Sequence, residues 1–123
     1  AAGSAVQKYR EKLADEQEVL IAAADILTDV YGADSAVLRA MAASTAGGPK
    51  APFHVDAARV CVDDAAMRIE ASARQALAAM TEGDELRTML AALRRLLKIT
   101  PANTVAMRRR LADEAVARGG YLF

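Results

Sequence analysis

The sequence predicts an all-α protein, an antiparallel bundle of four helices with a long first helix. Alanine supplies 30 of the 123 residues, aromatic residues make up 4% and Trp is absent, so good helix formers dominate and strand formers are scarce. Apolar residues make up 54% of the chain and charged residues 26%, which is enough apolar surface for the core of one domain. We therefore expect residues 1–123 to form a single helical domain.

The first predicted helix, about residues 4–43, carries apolar residues at intervals of seven. This row consists of Val6, Leu13, Leu20 and Leu27, and Val30 belongs to the row that fits beside it. Such a heptad pattern is typical of a packing seam along a long helix. Gly32 interrupts the pattern and is expected to weaken the helix there. Apolar surface left over on so long a helix would need a partner.

Three further helices are predicted at about residues 53–80, 85–98 and 101–118. The segment 44–52 ends the first helix, because its two Gly and two Pro residues cannot continue one. We expect Gly83 to adopt the left-handed conformation that ends the second helix, and Asp84 to cap the third. Thr100 and Pro101 are expected to be the N-cap and the first residue of the fourth.

No arrangement of residues indicates catalysis or a metal site. The single histidine, His54, has no Glu three residues before it, so the Glu-x-x-His pattern of di-iron bundles is missing. The single Cys61 excludes an intramolecular disulfide and is interpreted as a small core residue. Five acidic residues of the first two helices are interpreted as ion-pair partners of Arg59, Arg68 or Arg74 across the bundle rather than as acid–base catalysts. They are Asp25, Asp29, Asp63, Asp64 and Glu70.

Charge is divided unevenly along the chain, although it sums to zero. Residues 1–85 carry eight Lys or Arg and fourteen Asp or Glu, a balance of −6, and residues 86–123 carry eight and two, a balance of +6. The simpler interpretation is that the basic helices pair with the acidic ones and fix their register. The alternative is a basic interaction face for an anionic partner, formed by Arg94, Arg95, Lys98, Arg108, Arg109 and Arg110. Because no aromatic residues are interleaved with these basic residues, we expect no nucleic-acid partner.

Three stretches carry a family resemblance. In the first helix they include Asp15-Glu16-Gln17, Leu20, Ala24-Asp25, Asp29, Tyr31 and Leu38-Arg39-Ala40, and further on they are residues 93–104 (LRRLLKITPANT) and 107–113 (MRRRLAD). On these residues, and over about residues 6–121, the chain resembles the C-terminal helical domain of bacterial acyl-CoA dehydrogenases of the very-long-chain type. The motifs are patterns on amphipathic helices rather than active-site signatures.

The resemblance implies a domain appended to an FAD-dependent enzyme that forms the α,β-double bond of a fatty acyl-CoA. In that family the flavin site, the acyl-CoA cleft and the catalytic glutamate belong to the preceding dehydrogenase core. FAD is therefore expected in the parent enzyme, and no catalytic, cofactor-binding or metal-binding residue is expected in this fragment. The implied partners are the dehydrogenase core and further copies in a homo-oligomer. A membrane surface stays open as a partner, although no strongly hydrophobic amphipathic helix stands out between Ala43 and Phe53.

No targeting or membrane-spanning segment is evident in the sequence. The longest strongly apolar stretch, residues 19–24, is far shorter than the ~20 residues that a membrane span needs, and we expect a cytoplasmic location. The chain starts with Ala1-Ala2-Gly3-Ser4, in which the Gly-Ser pair is typical of a cloning remnant and predicts a domain cut from a longer chain.

The sequence thus predicts a non-catalytic structural and oligomerisation domain of an acyl-CoA dehydrogenase. Two alternatives stay open. One is a free-standing helical adaptor that self-associates through its first helix and has no enzymatic activity. The other is a surface-coating amphipathic protein that uses its basic helices on lipid or a granule.

Overall fold

Four α-helices, with no β-strand among them, make up the regular structure of residues 17–98 and 100–123, which are the residues that this computed structural model describes. They are α1 (Gln17–Ala46), α2 (Ala51–Met80), α3 (Gly83–Leu96) and α4 (Thr104–Arg118). The predicted all-α class is therefore confirmed. The predicted start of the first helix, with Val6 and Leu13, lies outside the described residues. None of the four helices is both long and apolar enough to cross a membrane.

The two long helices, α1 and α2, contain 30 residues each and are joined by a glycine turn. Gly47 has a φ of +70°, which suits glycine, and its N–H donates to the carbonyl oxygen of Ala43 at 3.0 Å. α2 begins two residues earlier than predicted and contains Pro52 in its first turn, where the missing N–H has no helical partner to lose. α1 continues through Gly32 without ending.

Two of the predicted helix caps are wrong. The fourth helix starts at Thr104, and its N-cap is Asn103, whose side chain accepts a hydrogen bond from the Ala106 N–H at 3.0 Å. Thr100 and Pro101 precede the helix, because the carbonyl oxygen of Thr100 accepts a hydrogen bond from an arginine of α2 instead. Gly83 has the expected left-handed conformation but belongs to α3, so that Asp84 falls within the first turn rather than at the cap.

The described residues form two compact units, to each of which α1 and α2 contribute. The first unit contains the described residues up to Asp29 together with Ala66–Lys98. Its core joins three buried residues to partly buried apolar residues of α2 and α3. The buried ones are Val19, Leu77 and Met80, and the partly buried ones are Ala76, Leu86, Met89, Leu90 and Leu93.

The second unit contains Val30–Ala65 and the described part of residues 99–123. Its most buried residues are small, apart from one leucine near the end of the chain: Ala40, Ala58, Ala65 and Leu122. In this unit the thiol of Cys61 on α2 lies 4.0 Å from the Gly32 carbonyl oxygen of α1. Cys61 is partly buried, in keeping with its predicted structural role.

The buried side of α1 has the predicted period of seven but a different phase. Every residue of α1 is exposed except a row of eight: Val19, Ala22, Ile26, Asp29, Ala33, Ala36, Ala40 and Ala43. The predicted seam residues Leu20, Leu27 and Val30 are 39%, 70% and 49% exposed. These three residues therefore lie outside the bundle interior, because the helices meet through small side chains that allow close approach. Their role in packing against a partner stays a prediction.

Candidate interaction surfaces

A second apolar side of α1 is exposed. This outer face consists of Leu20, Ala23, Ala24, Leu27, Val30, Tyr31, Asp34, Val37, Leu38 and Met41. The residues recur at intervals of three and four and therefore share one side of the helix, away from the buried row. Tyr31 is 77% exposed and Met41 is 60% exposed. A helix that is apolar on both sides is typical of a position buried within a larger protein.

An open groove between α1 and α2 in the second unit extends this apolar surface. Its volume is about 670 Å³, and its apolar lining consists of Val37, Ala40, Met41, Val55, Ala58 and Val62. Val37 and Met41 belong to the outer face of α1 as well, so the groove and the outer face are continuous. Val55 on α2 is 47% exposed at this groove.

A polar cluster at the groove holds the segment before α4 against α2. The Arg59 guanidinium lies 3.4 Å from Oδ1 of Asp63 and donates to the Thr100 carbonyl oxygen at 3.3 Å. Oδ2 of Asp63 accepts a hydrogen bond from the Ala102 N–H at 3.2 Å. The Asp63 side chain is only 10% exposed, so its interactions with Arg59 and Ala102 take place largely out of water. The cluster is therefore structural.

The described residues at this groove do not fit a flavin dinucleotide. Such a cofactor carries two phosphates, which proteins hold with cations or with several backbone N–H groups. The guanidinium at this groove is committed to Asp63 and to the carbonyl oxygen of Thr100.

The basic residues predicted as an interaction face divide into two groups. On α4, Arg108 pairs with Asp64, and Arg110 makes two hydrogen bonds of 2.9 Å to the Asp56 carboxylate. The hydrogen bond and the negative charge of Asp56 raise the pKa of Arg110 above its ordinary value. These pairs link α4 to α2, as the simpler interpretation of the charge pattern predicts.

The other basic residues of the predicted face are exposed and make no ion pair with a described residue. They are Arg94 and Arg95 in the last turn of α3, Lys98 after it, and Arg109 on α4. Basic residues at a helix C-terminus interact favourably with the helix dipole, which accounts for the arginines of α3 without a partner. An interaction with an anionic partner remains a prediction for this group.

Of the ion pairs predicted across the bundle, that of Asp29 with Arg68 is confirmed, whereas Asp63 and Glu70 pair within α2 and Asp64 pairs with Arg108 of α4. Arg68 lies 3.0 Å from Asp29, and Arg74 lies 3.6 Å from Glu70. Asp25 is exposed and makes no ion pair with a described residue. Within residues 17–98 and 100–123, no group of three His, Cys, Asp or Glu side chains is arranged to hold a metal ion.

The chain's final residues pack onto the helices, which the sequence analysis did not predict. Leu122 is 5% exposed, and the Phe123 ring stacks on His54 with ring centroids 4.2 Å apart. The Arg39 guanidinium lies 5.9 Å from the centroid of the same Phe123 ring. An aromatic and apolar tripeptide after two glycines was the available signal, since it holds two of the five Tyr and Phe residues.

Comparisons with known proteins agree on one family. A family model described as acyl-CoA dehydrogenase, C-terminal domain, matches residues 1–95. A probable acyl-CoA dehydrogenase of Bacillus subtilis (strain 168) is 46% identical over 113 residues, covering 91% of this chain and 19% of the relative. A crystal structure of an acyl-CoA dehydrogenase complexed with FAD, from Bacillus anthracis, matches with a TM-score of 0.90 and 40% identity over 95% of this chain and 20% of that one. The chain thus spans about a fifth of the length of these relatives.

Proposed function

Because the chain belongs to the acyl-CoA dehydrogenase C-terminal domain family, we propose that it is the non-catalytic structural and oligomerisation domain of an FAD-dependent acyl-CoA dehydrogenase of fatty acid β-oxidation. The chemistry of this parent enzyme belongs to the part of the polypeptide outside the present chain. The domain's own task is mechanical, since it covers a surface of the dehydrogenase core and helps to hold the parent assembly together.

The outer face of α1 is the observation that supports this proposal. Seven of its residues are large apolar side chains that are at least 37% exposed, more apolar surface than a self-sufficient helix presents to water. Covering such a surface stabilises the covered state by roughly 25 cal/mol for each Å² of apolar area removed from water. The similar solved chain is about five times as long, so most of that relative lies outside this fold.

The first test identifies the parent. The native gene product, captured from the source cell with an antibody to this domain, is examined for its intact mass and its visible absorbance. We expect a chain several times heavier than 13.0 kDa with a flavin spectrum. A colourless product of about 13.0 kDa would overturn the proposal and favour the free-standing adaptor.

The second test asks whether α1 docks on the core. In the purified parent, Leu27→Asp is compared with Leu96→Asp, because both leucines are exposed, 70% on α1 and 83% on α3. Limited proteolysis should release the domain faster from Leu27→Asp, since a charge on the docking face opposes its burial. Release from Leu96→Asp should match the unaltered parent, and size-exclusion chromatography with light scattering should show a changed oligomer for Leu27→Asp alone. Equal behaviour of both variants would show that the outer face is not the docking face.

A further inference from the structure

Asp34 lies at the centre of the apolar outer face of α1. Its neighbours three, four and seven residues away on the helix are Leu27, Val30, Tyr31, Val37, Leu38 and Met41, all of them large, apolar and exposed. Asp34 is the one charged residue among the ten of this face. Its carboxylate makes no ion pair or hydrogen bond with a described residue, in contrast to Asp29 on the buried row, which pairs with Arg68.

The position of Asp34 determines what can cover it. A body that packs against the surrounding apolar side chains also removes water from the carboxylate in their middle. An ionised carboxylate loses its hydration at a large cost unless a cation and hydrogen-bond donors replace the water. A guanidinium suits this role best, because it is weakly hydrated and binds a carboxylate through two parallel hydrogen bonds.

A second copy of this face does not meet the requirement. A two-fold symmetric contact places the same patch on both partners. The outer face carries no Lys or Arg, so pairing with itself would bury two carboxylates and supply no cation. The nearest cation on α1 is Arg39, which lies outside the outer face and has its guanidinium over the Phe123 ring.

We propose that the outer face of α1 docks on an apolar surface of the preceding part of the same polypeptide, and that this surface presents an arginine or lysine to Asp34. The inference rests on the proposed function, in which a dehydrogenase core precedes the domain, and it adds the chemistry of the contact. About four fifths of the length of each matched relative lies outside the part that this chain matches, which is enough polypeptide for such a dehydrogenase core. Asp34 then acts as the polar centre of an otherwise apolar contact and selects one docked position.

The experiment compares substitutions of Asp34 with the same substitutions of Asp25 in the parent protein. Asp25 is a matched control, since it is exposed on α1, lies outside the outer face and forms no ion pair with a described residue. Domain release by limited proteolysis should be at least about tenfold faster in Asp34→Leu, because the opposing cation is left buried without its partner. Asp34→Glu should retain most of the protection, Asp34→Asn should lose part of it, and both Asp25→Leu and Asp25→Asn should behave like the unaltered parent.

The same variants in the 123-residue chain separate this effect from misfolding. There Asp34→Leu should leave the thermal midpoint unchanged or raise it, because the residue is exposed and has no partner to lose.

Unchanged or slower domain release from the Asp34→Leu parent would overturn the proposal, since no cation would then oppose the carboxylate. If Leu27→Asp accelerates release and Asp34→Leu does not, the outer face is the docking face but no cation of the core faces Asp34. If neither does, the docking face itself is wrong. A dimer of the 123-residue chain that Asp34→Leu tightens would identify a second copy as the occupant and overturn the proposal.

Discussion

Individual polar residues stabilise this fold mainly by ending helices and by tying segments to α2. Asn103 caps α4 through its side chain, while the residues before it are held by Arg59 and Asp63. Thr81 closes α2 in a similar way, with its buried hydroxyl donating to the Leu77 carbonyl oxygen at 2.9 Å. Asn103 and Asp63 satisfy backbone N–H groups at and just before the start of α4, whereas the Leu77 carbonyl oxygen accepts from the Thr81 N–H as well as from its hydroxyl.

The capping of α4 gives a prediction at the scale of one residue. Asn103→Ala should lower the free energy of unfolding by about 1 kcal/mol, because the Ala106 N–H loses its side-chain acceptor. Thr100→Ala is the control, since Thr100 contributes its backbone carbonyl to Arg59 and that group survives the substitution. Urea unfolding followed by circular dichroism measures both. A larger loss of unfolding free energy for Thr100→Ala than for Asn103→Ala would show that Thr100 is the N-cap, as the sequence suggests.

At the scale of the helix, α1 has two apolar sides of different character. The buried row consists mainly of alanine, and the outer face carries the leucines, valines and aromatic residue. Small residues permit close contact with α2, whereas large residues on the exposed side offer area to a body outside this chain. The helix is thus suited to lie between two surfaces.

The two sides of α1 should respond differently to the same substitution. In the 123-residue chain, Val19→Asp should unfold the protein, because a charge would replace a side chain that is 6% exposed in the core. Leu27→Asp should change the free energy of unfolding by less than about 0.5 kcal/mol, since Leu27 is 70% exposed. Thermal melting followed by circular dichroism gives the comparison. Unfolding by Leu27→Asp would place that residue in the interior after all.

For the whole molecule, continuity of α1 and α2 couples the two compact units. Each unit has its own buried residues, Leu77 in the first and Leu122 in the second, yet neither contains a complete long helix. Helix formation is cooperative, so melting one half of a helix exposes new ends in the other half. We therefore expect the units to unfold together.

Cooperativity is tested with one core substitution in each unit. Leu77→Ala and Leu122→Ala should each lower stability by roughly 2–5 kcal/mol and shift a single urea transition to lower concentration. Leu96→Ala, at a leucine that is 83% exposed, serves as the control with little effect. Circular dichroism and tyrosine fluorescence should report coincident transitions. Two separate transitions, with one variant moving only one of them, would contradict the coupling.

Much of the fold follows from the sequence, and the errors share a physical cause. Glycine, proline and apolar spacing are sufficient to locate four helices, and the heptad period of α1 is correct. The seam predicted from the spacing contains large residues such as Leu27, whereas the bundle buries Ala22 and Ala40 on another side of the helix. Periodicity alone cannot rank two apolar sides of one helix.

The candidate surfaces were predictable to different degrees. Opposite charge on neighbouring helices correctly predicts the pair of Arg68 with Asp29, because a partly buried carboxylate that lacks a cation destabilises the fold. The partners of Arg108 and Arg110 on α2 depend on the path of the segment before α4, which spacing does not determine. The stacking of Phe123 on His54 is likewise a contact between distant parts of the chain.

The alanine row of α1 has a consequence for alternative alignments of the two long helices. Its second half contains alanine at all four positions, so a slip by one heptad would exchange alanine for alanine there. A slip of seven residues moves a side chain by about 10 Å along the helix, which would separate Asp29 from Arg68 and leave a half-buried carboxylate without its cation. The ion pair between Asp29 and Arg68 therefore favours the observed alignment of α1 with α2 over one shifted by seven residues, even if it adds little to the free energy of unfolding.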